Sequence, residues 1–176
     1  MKQFFKLRVF TIVTIVVLAL IFPSTFKAQT QSYTDENVDY VLVLPSTQWR
    51  AISVPGIGKD RTEFRYGNDG LVKMRIRRVL VDADLTMEDL IQRQQTFHRS
   101  SLQGYVKENV QPITGHLSGA RYAYEYVTHG KPKAMVIYYL EANNRIVYRL
   151  EFTGSLDLLR DISDQADLIA RSFRLK

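Results

Sequence analysis

The chain has no cysteine among its 176 residues. That excludes a disulfide framework, thiol chemistry and a lipidated cysteine, and leaves any zinc site to histidine and carboxylate alone. Histidine is also scarce. His98, His116 and His129 show no HExxH or other paired spacing, so no metal set and no cofactor is expected. His98 falls on an expected helix and His129 in an expected turn, both contexts for solvated side chains. A basic tail is missing too, and no cationic run exceeds Arg77-Arg78. Lys2, Lys6, Arg8 and Lys27 lie in the first 28 residues, which hold no acid; without them the formal charge falls from +6 to +2. The calculated pI near 9.5 therefore does not indicate a nucleic-acid partner.

What is present begins at the N-terminus. Lys2, Lys6 and Arg8 precede the uncharged run Val9 to Phe22, which Pro23 and Ser24 break. A charged start, a short apolar run and a small residue afterwards are the marks of an export signal. The run is shorter than the ~20 residues that cross a bilayer comfortably. Cleavage is expected after Ala28, although Phe26 at the −3 position departs from the small-x-small rule, so an uncleaved membrane anchor, and with it a structural envelope protein held by that segment, stays open. Export places the rest of the chain outside the cytoplasm, periplasmic or secreted. Removing 28 residues leaves 148, enough for one domain that buries roughly 70% of its unfolded surface. Residues 29–37 are polar and read as a linker, and the domain is expected over 38–176.

Leu44-Pro45-Ser46-Thr47 has the form of the L-P-x-T string that sortases cut. Gln48 stands where glycine should follow, the string lies far from the C-terminus, and the chain ends in "ARSFRLK". The same residues read better as a corner. The β-branched and aromatic "VDYVLVL" makes a strand, Pro45 ends its pairing, Ser46 to Gln48 turn, and Trp49 anchors a second strand, "WRAISV", at the core edge.

A loop follows at Pro55 to Arg61. "TEFRY" and "LVKMRIRRVLV" pair across Gly67-Asn68-Asp69-Gly70, whose residue types tolerate positive φ. In the second of these strands Val72, Met74, Ile76 and Leu80 point one way, and Lys73, Arg75 and Arg77 the other. "DADLTMEDLIQRQQTFHRSS" is a helix with a capping-box-like Thr86/Asp89 start and an apolar face of Met87, Leu90, Ile91 and Phe97; Gly104 ends it. "YVKENVQPI" is a weak edge strand. Three strong strands come next, Ala120–Val127, Lys133–Glu141 and Arg145–Thr153, joined as an antiparallel meander. The middle one is apolar on both faces, with Ala134, Val136, Tyr138 and Leu140 opposite Met135, Ile137 and Tyr139, which implies a layer on each side of the sheet. The last helix carries Leu159, Ile162, Ala166, Ile169 and Phe173 at helical spacing. The fold class is α+β, an antiparallel sheet sandwiched by helices.

Tyr40, Leu42, Leu44-Pro45 and Trp49, the hairpin, the helix after "VDADLTMEDL", the meander and the final "ARSF" helix together resemble the PsbP-like fold. The resemblance covers Val38 to Lys176 and rests on element order and spacing. It implies an α/β/α sandwich in a non-enzymatic accessory or binding protein whose partner is an envelope protein or a small ligand. It carries over no catalytic residue.

Motif by motif, the chain offers little chemistry. "GHLSG" places Ser118 one position too late for a nucleophile elbow. "GIGK" has Ser53 where a P-loop needs its first glycine and Asp60 where it needs Ser or Thr. Asp82, Asp84, Glu88 and Asp89 could serve a metal or an acid/base pair, giving a small hydrolase as an alternative, but acids also gather at helix N-termini for electrostatic reasons. Tyr122, Tyr124 and Tyr126 alternate along one strand and share a face. They form either a stacking surface for a sugar, peptide or lipid, or a layer beneath a helix. Lys73, Arg75 and Arg77 form a row that could hold anionic envelope components or simply face solvent.

Overall fold

The computed structural model describes residues 30–52 and 61–176. The export-signal reading of residues 1–28, Ser53-Val54, and the Pro55–Asp60 loop with its "GIGK" string lie outside them. Strand β1 (Gln31–Tyr33) precedes β2 (Tyr40–Leu44) and β3 (Trp49–Ile52). Within the stretch expected as a linker, β1 thus pairs with β2, Gln31 facing Leu44 and Tyr33 facing Leu42. Along β2, Tyr40, Leu42 and Leu44 are buried while Val41 and Val43 are partly exposed. The corner after Leu44 closes through Trp49 N–H to the Ser46 carbonyl at 3.2 Å and Gln48 N–H to Ser46 Oγ at 3.1 Å. Trp49 is fully buried, its ring 5.9 Å from that of Phe152.

Strands β4 (Arg61–Tyr66) and β5 (Val72–Leu80) form the expected hairpin. Gly67 and Gly70 take φ of +75° and +58° in its turn. Helix α1 (Met87–Ser101) starts from a full capping box: Thr86 Oγ1 accepts from the Asp89 N–H, and Asp89 Oδ2 accepts from the Thr86 N–H. Short strands β6 (Val106–Lys107) and β7 (Gln111–Thr114) follow, both paired with β8 (Ser118–Thr128). Strands β8, β9 (Lys131–Asn143) and β10 (Ile146–Ser155) form the meander, and α2 (Leu156–Asp161), α3 (Ser163–Ser172) and β11 (Arg174–Leu175) complete the chain.

The large sheet has the order β3-β4-β5-β10-β9-β8-β6, with β7 also on β8, and its pairs are antiparallel. One face packs against α2, α3 and the small sheet β1-β2-β11 around Trp49, Phe64, Tyr138, Leu150, Phe152 and Phe173. The other carries α1 over Tyr122, Tyr124, Ile137, Tyr139 and Val147. The doubly apolar β9 feeds both layers: Ala134, Tyr138 and Leu140 enter the first, Ile137 and Tyr139 the second. This is the α+β sandwich that the two-faced pattern of β9 requires.

Three local expectations need correction. Leu80 is 74% exposed, because the core beneath β5 ends at Ile76 and the next position on that side is the exposed Arg78. Phe97 is 63% exposed, since α1 inserts Ile91 and His98, seven residues apart, and Phe97 lies about 100° around the helix from His98. The final helix breaks at Ile162, with φ −104° and ψ 10°. Bonds from Ile162 N–H to the Leu158 carbonyl and from Ala166 N–H to the Ile162 carbonyl span the break. The stripe stays in phase, so Leu159, Ile162, Ala166, Ile169 and Phe173 are all buried.

Candidate functional site

The topology divides the α1 side of the large sheet into two halves. Helix α1 leaves the end of β5 and must reach β6, beyond β8, so it crosses β10, β9 and β8. Strands β4 and β5 lie outside that path.

Under the helix, Tyr122 and Tyr124 are buried and Tyr126 is partly buried. The Tyr122 hydroxyl bonds that of Tyr105. The Tyr124 hydroxyl donates to Met135 Sδ at 3.0 Å and lies 3.4 Å from His98 Nε2, with the two rings 4.5 Å apart. The strand period thus put the three tyrosines on one face as expected, but the crossover helix covers the first two. Neither can serve as an open stacking platform; Tyr126 alone reaches solvent. Burial pushes all three phenol pKa values up, and that of Tyr139 to about 12. Burial pushes the His98 imidazole down, helped by the Arg149 charge and opposed by Glu151, so His98 is a neutral core residue rather than the solvated one expected. His98 Nδ1 and the Tyr139 hydroxyl are buried without a hydrogen-bond partner among the described residues.

On the bare half, strand register arranges charge in rows. Arg50, Arg65 and Lys73 stand opposite one another across β3, β4 and β5. Arg77 and Arg149 do so across β5 and β10. Between these rows runs Glu63–Arg75–Glu151. Six cationic residues thus share a face with two carboxylates among the described side chains, and like charges directly opposite one another destabilise a sheet. The acids relieve this. Glu63 lies 3.5 Å from Arg65 Nε and 3.0 Å from Arg75 Nε; Glu151 lies 2.8 Å from Arg149 Nε and 3.6 Å from Arg77 Nη2. Both acids are buried, at 6% and 5% exposure, whereas Arg65, Arg75 and Arg77 keep 43%, 35% and 38% of their side chains exposed. Burial alone would raise the Glu63 pKa, but the Arg75 hydrogen bond and the charges of Arg75, Lys73 and Arg65 outweigh it and hold it below the usual carboxylate range.

Arg75 donates a hydrogen bond from Nε to Glu63, while Arg65 and Arg149 approach their acids as ion pairs without one. A guanidinium has five N–H donors, four of them on the two Nη atoms. Glu63 therefore fixes Arg75 by its one inner donor and leaves the Nη donors of that side chain toward the open face, whereas Arg149, 17% exposed, lies over the Tyr139 ring. The expected row Lys73, Arg75 and Arg77 is present, but it is the centre of a larger array. Arg50, Arg65, Arg149 and the two glutamates were not singled out from the sequence; the alternation of charge in "TEFRY" and "YRLEFT" was the available signal, and only the pairing register turns it into one surface.

The acidic cluster does not form one site. Asp89 closes the capping box, and the hydrogen bonds from Thr86 lower its pKa. Neither Asp82 nor Asp84 lines the clefts of about 580 and 520 Å³ on the two flanks of α1, whereas Glu88 lines the first without a second acid beside it there. Among the described residues no three His, Asp or Glu side chains converge to hold a metal. A Cβ at Gly119 would sit 1.8 Å from the Tyr139 carbonyl oxygen, and one at Gly115 would sit 2.4 Å from that of Arg171. The glycines of "GHLSG" thus allow close backbone approach in a strand and its turn. His129, at φ +50°, occupies the β8–β9 turn with Gly130.

No family model matches the chain, and no curated protein matches its sequence. Solved structures do. Cyanobacterial PsbP (CyanoP) from Synechocystis sp. PCC 6803 is 14% identical with a TM-score of 0.58, over 88% of this chain and 97% of that one. The Ran-binding protein Mog1p of Saccharomyces cerevisiae is 7% identical with a TM-score of 0.61, over 84% and 96%. LpqN of Mycobacterium tuberculosis, involved in cell envelope biogenesis, is 16% identical with a TM-score of 0.57, over 84% and 92%. The fold is PsbP-like; at these identities the likeness speaks for the fold alone.

Proposed function

We propose that this chain is a non-enzymatic binding or accessory protein that works outside the cytoplasm and holds an anionic partner on the β4–β5 part of its sheet, bordered by Arg149 and Glu151 of β10. One observation carries the reading: two buried glutamates pair with arginines on a face whose described side chains include four more cations than acids. Ion pairs that served stability alone would not need the surplus, since exposed pairs contribute only about 0–1 kcal/mol. A protein of the same fold is described as Ran-binding and another as involved in envelope biogenesis, which fits a scaffold that presents a surface rather than a reaction centre. Residues 1–28 serve as the export signal in this reading, and a mature chain starting at Gln29 is the expected mass-spectrometric result. Met1 retained in the membrane fraction would replace the signal with an anchor.

The test compares two double variants of equal net charge. Arg50→Glu with Lys73→Glu reverses one row of the face, whereas Lys131→Glu with Arg145→Glu reverses charge at the exposed hairpin ends. The first pair should lose most of the affinity for labelled dextran sulfate, and the second should lose little. Equal losses would show that net charge alone is responsible and would overturn the proposal.

A further inference from the structure

We infer that the occupant of this face is an acidic polypeptide segment, extended along β5 in the step between the arginine floor and α1; the inference rests on the anionic-partner reading above. Shape is the first reason. Helix α1 stands on the adjoining strands, so the floor is recessed below its outer surface by about a helix diameter, ~10 Å. A flat bilayer resting on α1 would be held off by about one Debye length at physiological salt, where attraction is largely screened. A single narrow chain can lie on the floor.

Spacing is the second reason. Lys73, Arg75 and Arg77 project from alternate positions of β5, ~6.8 Å apart at the usual strand rise. An extended chain with Asp or Glu at every second residue repeats at the same distance, and about five such residues cover the row. The neighbouring strands place Arg65 and Arg149 ~4.8 Å to either side. Cations spread over several strands suit a linear polyanion better than one small anion, which would need donors converging on a point.

The third reason is chemical. Glu63 and Glu151 already show that carboxylates fit this lattice, and the guanidinium fork matches a carboxylate in a bidentate pair. Leu90 lines a cleft with Val81 and Val147, so that flank of α1 turns toward β10. Phe97 lies seven residues further along the same flank and is 63% exposed. It supplies an apolar wall for an aromatic or aliphatic residue of the segment.

Fluorescence anisotropy on the full chain tests this with three probes: a labelled Glu-Ser alternating peptide ending in Phe, an isomer with its glutamates in one block, and phosphatidylglycerol vesicles. The alternating peptide should bind tightest and weaken steeply with salt. It should lose at least tenfold affinity with Arg50→Glu/Lys73→Glu and several-fold with Phe97→Ala, while the block isomer responds little to Phe97→Ala. Equal binding of the two peptides would overturn the extended register. Vesicle binding that exceeds peptide binding and is abolished by the double variant would put a membrane surface there instead. If dextran sulfate binds through this face and neither peptide does, the inference fails while the anionic-partner reading stands. If the double variant alters binding of no anionic probe, both fail.

Discussion

Truncating Tyr122 to alanine tests the covering of the sheet by α1. The side chain is 0% exposed, its ring lies 5.3 Å from that of Tyr124, and its hydroxyl bonds Tyr105. Removal deletes a whole aromatic ring from the layer it shares with Tyr124, Ile137 and Tyr139, and for buried aromatics that costs ~3–5 kcal/mol. Tyr122→Phe keeps the ring and loses only the hydroxyl bond, worth about 0.5–1.5 kcal/mol. Tyr126→Ala, at a partly exposed site, should cost clearly less than Tyr122→Ala. Urea unfolding followed by two signals is the assay. Trp49 is the sole tryptophan and sits in the opposite layer, so its fluorescence reports on the α2–α3 side while circular dichroism follows the whole chain. With an m-value of ~2 kcal/mol/M, a loss of ~4 kcal/mol lowers the midpoint by ~2 M in both signals. A parent-like midpoint for Tyr122→Ala would mean that α1 does not seal this face.

Other perturbations address separate links. The His98 pKa is depressed in the folded state, so the unfolded chain binds more protons as pH falls through about 6.5, and stability should decline over that interval and then level off. His98→Gln should flatten that limb of a stability–pH curve; an unchanged slope would assign it elsewhere. Glu63 is depressed as well, so its contribution is present above about pH 4.3 and lost as pH falls through its lower folded value. Glu63→Gln should remove part of the acid-induced loss seen by thermal melting below pH 4. Ile162→Asp puts a carboxylate into a site that is 2% exposed. The cost of several kcal/mol is comparable to a domain's whole ~5–15 kcal/mol, so the variant should not give a cooperative melt, and a parent-like one would refute the packing of α2 and α3.

The sequence was most informative where a period was strong. Alternation along β9 gave two apolar faces, and the 3-4-3-4 stripe from Leu159 to Phe173 identified what α2 and α3 bury even though it could not show the break at Ile162. Reading failed where exposure depends on what lies above. Tyr122 and Tyr124 look alike in any strand pattern, and only the route from β5 to β6 shows that α1 lies on them. Leu80 and Phe97 continue apolar patterns past the point where the opposing layer ends. The arginine face depends on strand order: β10 is separated from β5 by more than sixty residues, yet inserts beside it and brings Arg149 level with Arg77. Local charge alternation cannot supply that neighbour.

The small sheet bears on how the domain could be trimmed. A boundary at Val38, as the polar composition of residues 29–37 suggests, would delete β1 and with it the partner of Leu42, Val43 and Leu44. It would also remove the Tyr33 ring, packed edge-on at 4.7 Å to Phe64. What remains at that border is Tyr-Val-Leu-Val-Leu, five uncharged residues of high strand propensity whose one other strand pairing among the described residues is with β11 at Val41 and Tyr40. An unpaired edge of that composition is a template for edge-to-edge association between copies. Gln31 to Tyr33 therefore act as a guard strand, and their loss would show first as self-association rather than as a lower melting temperature.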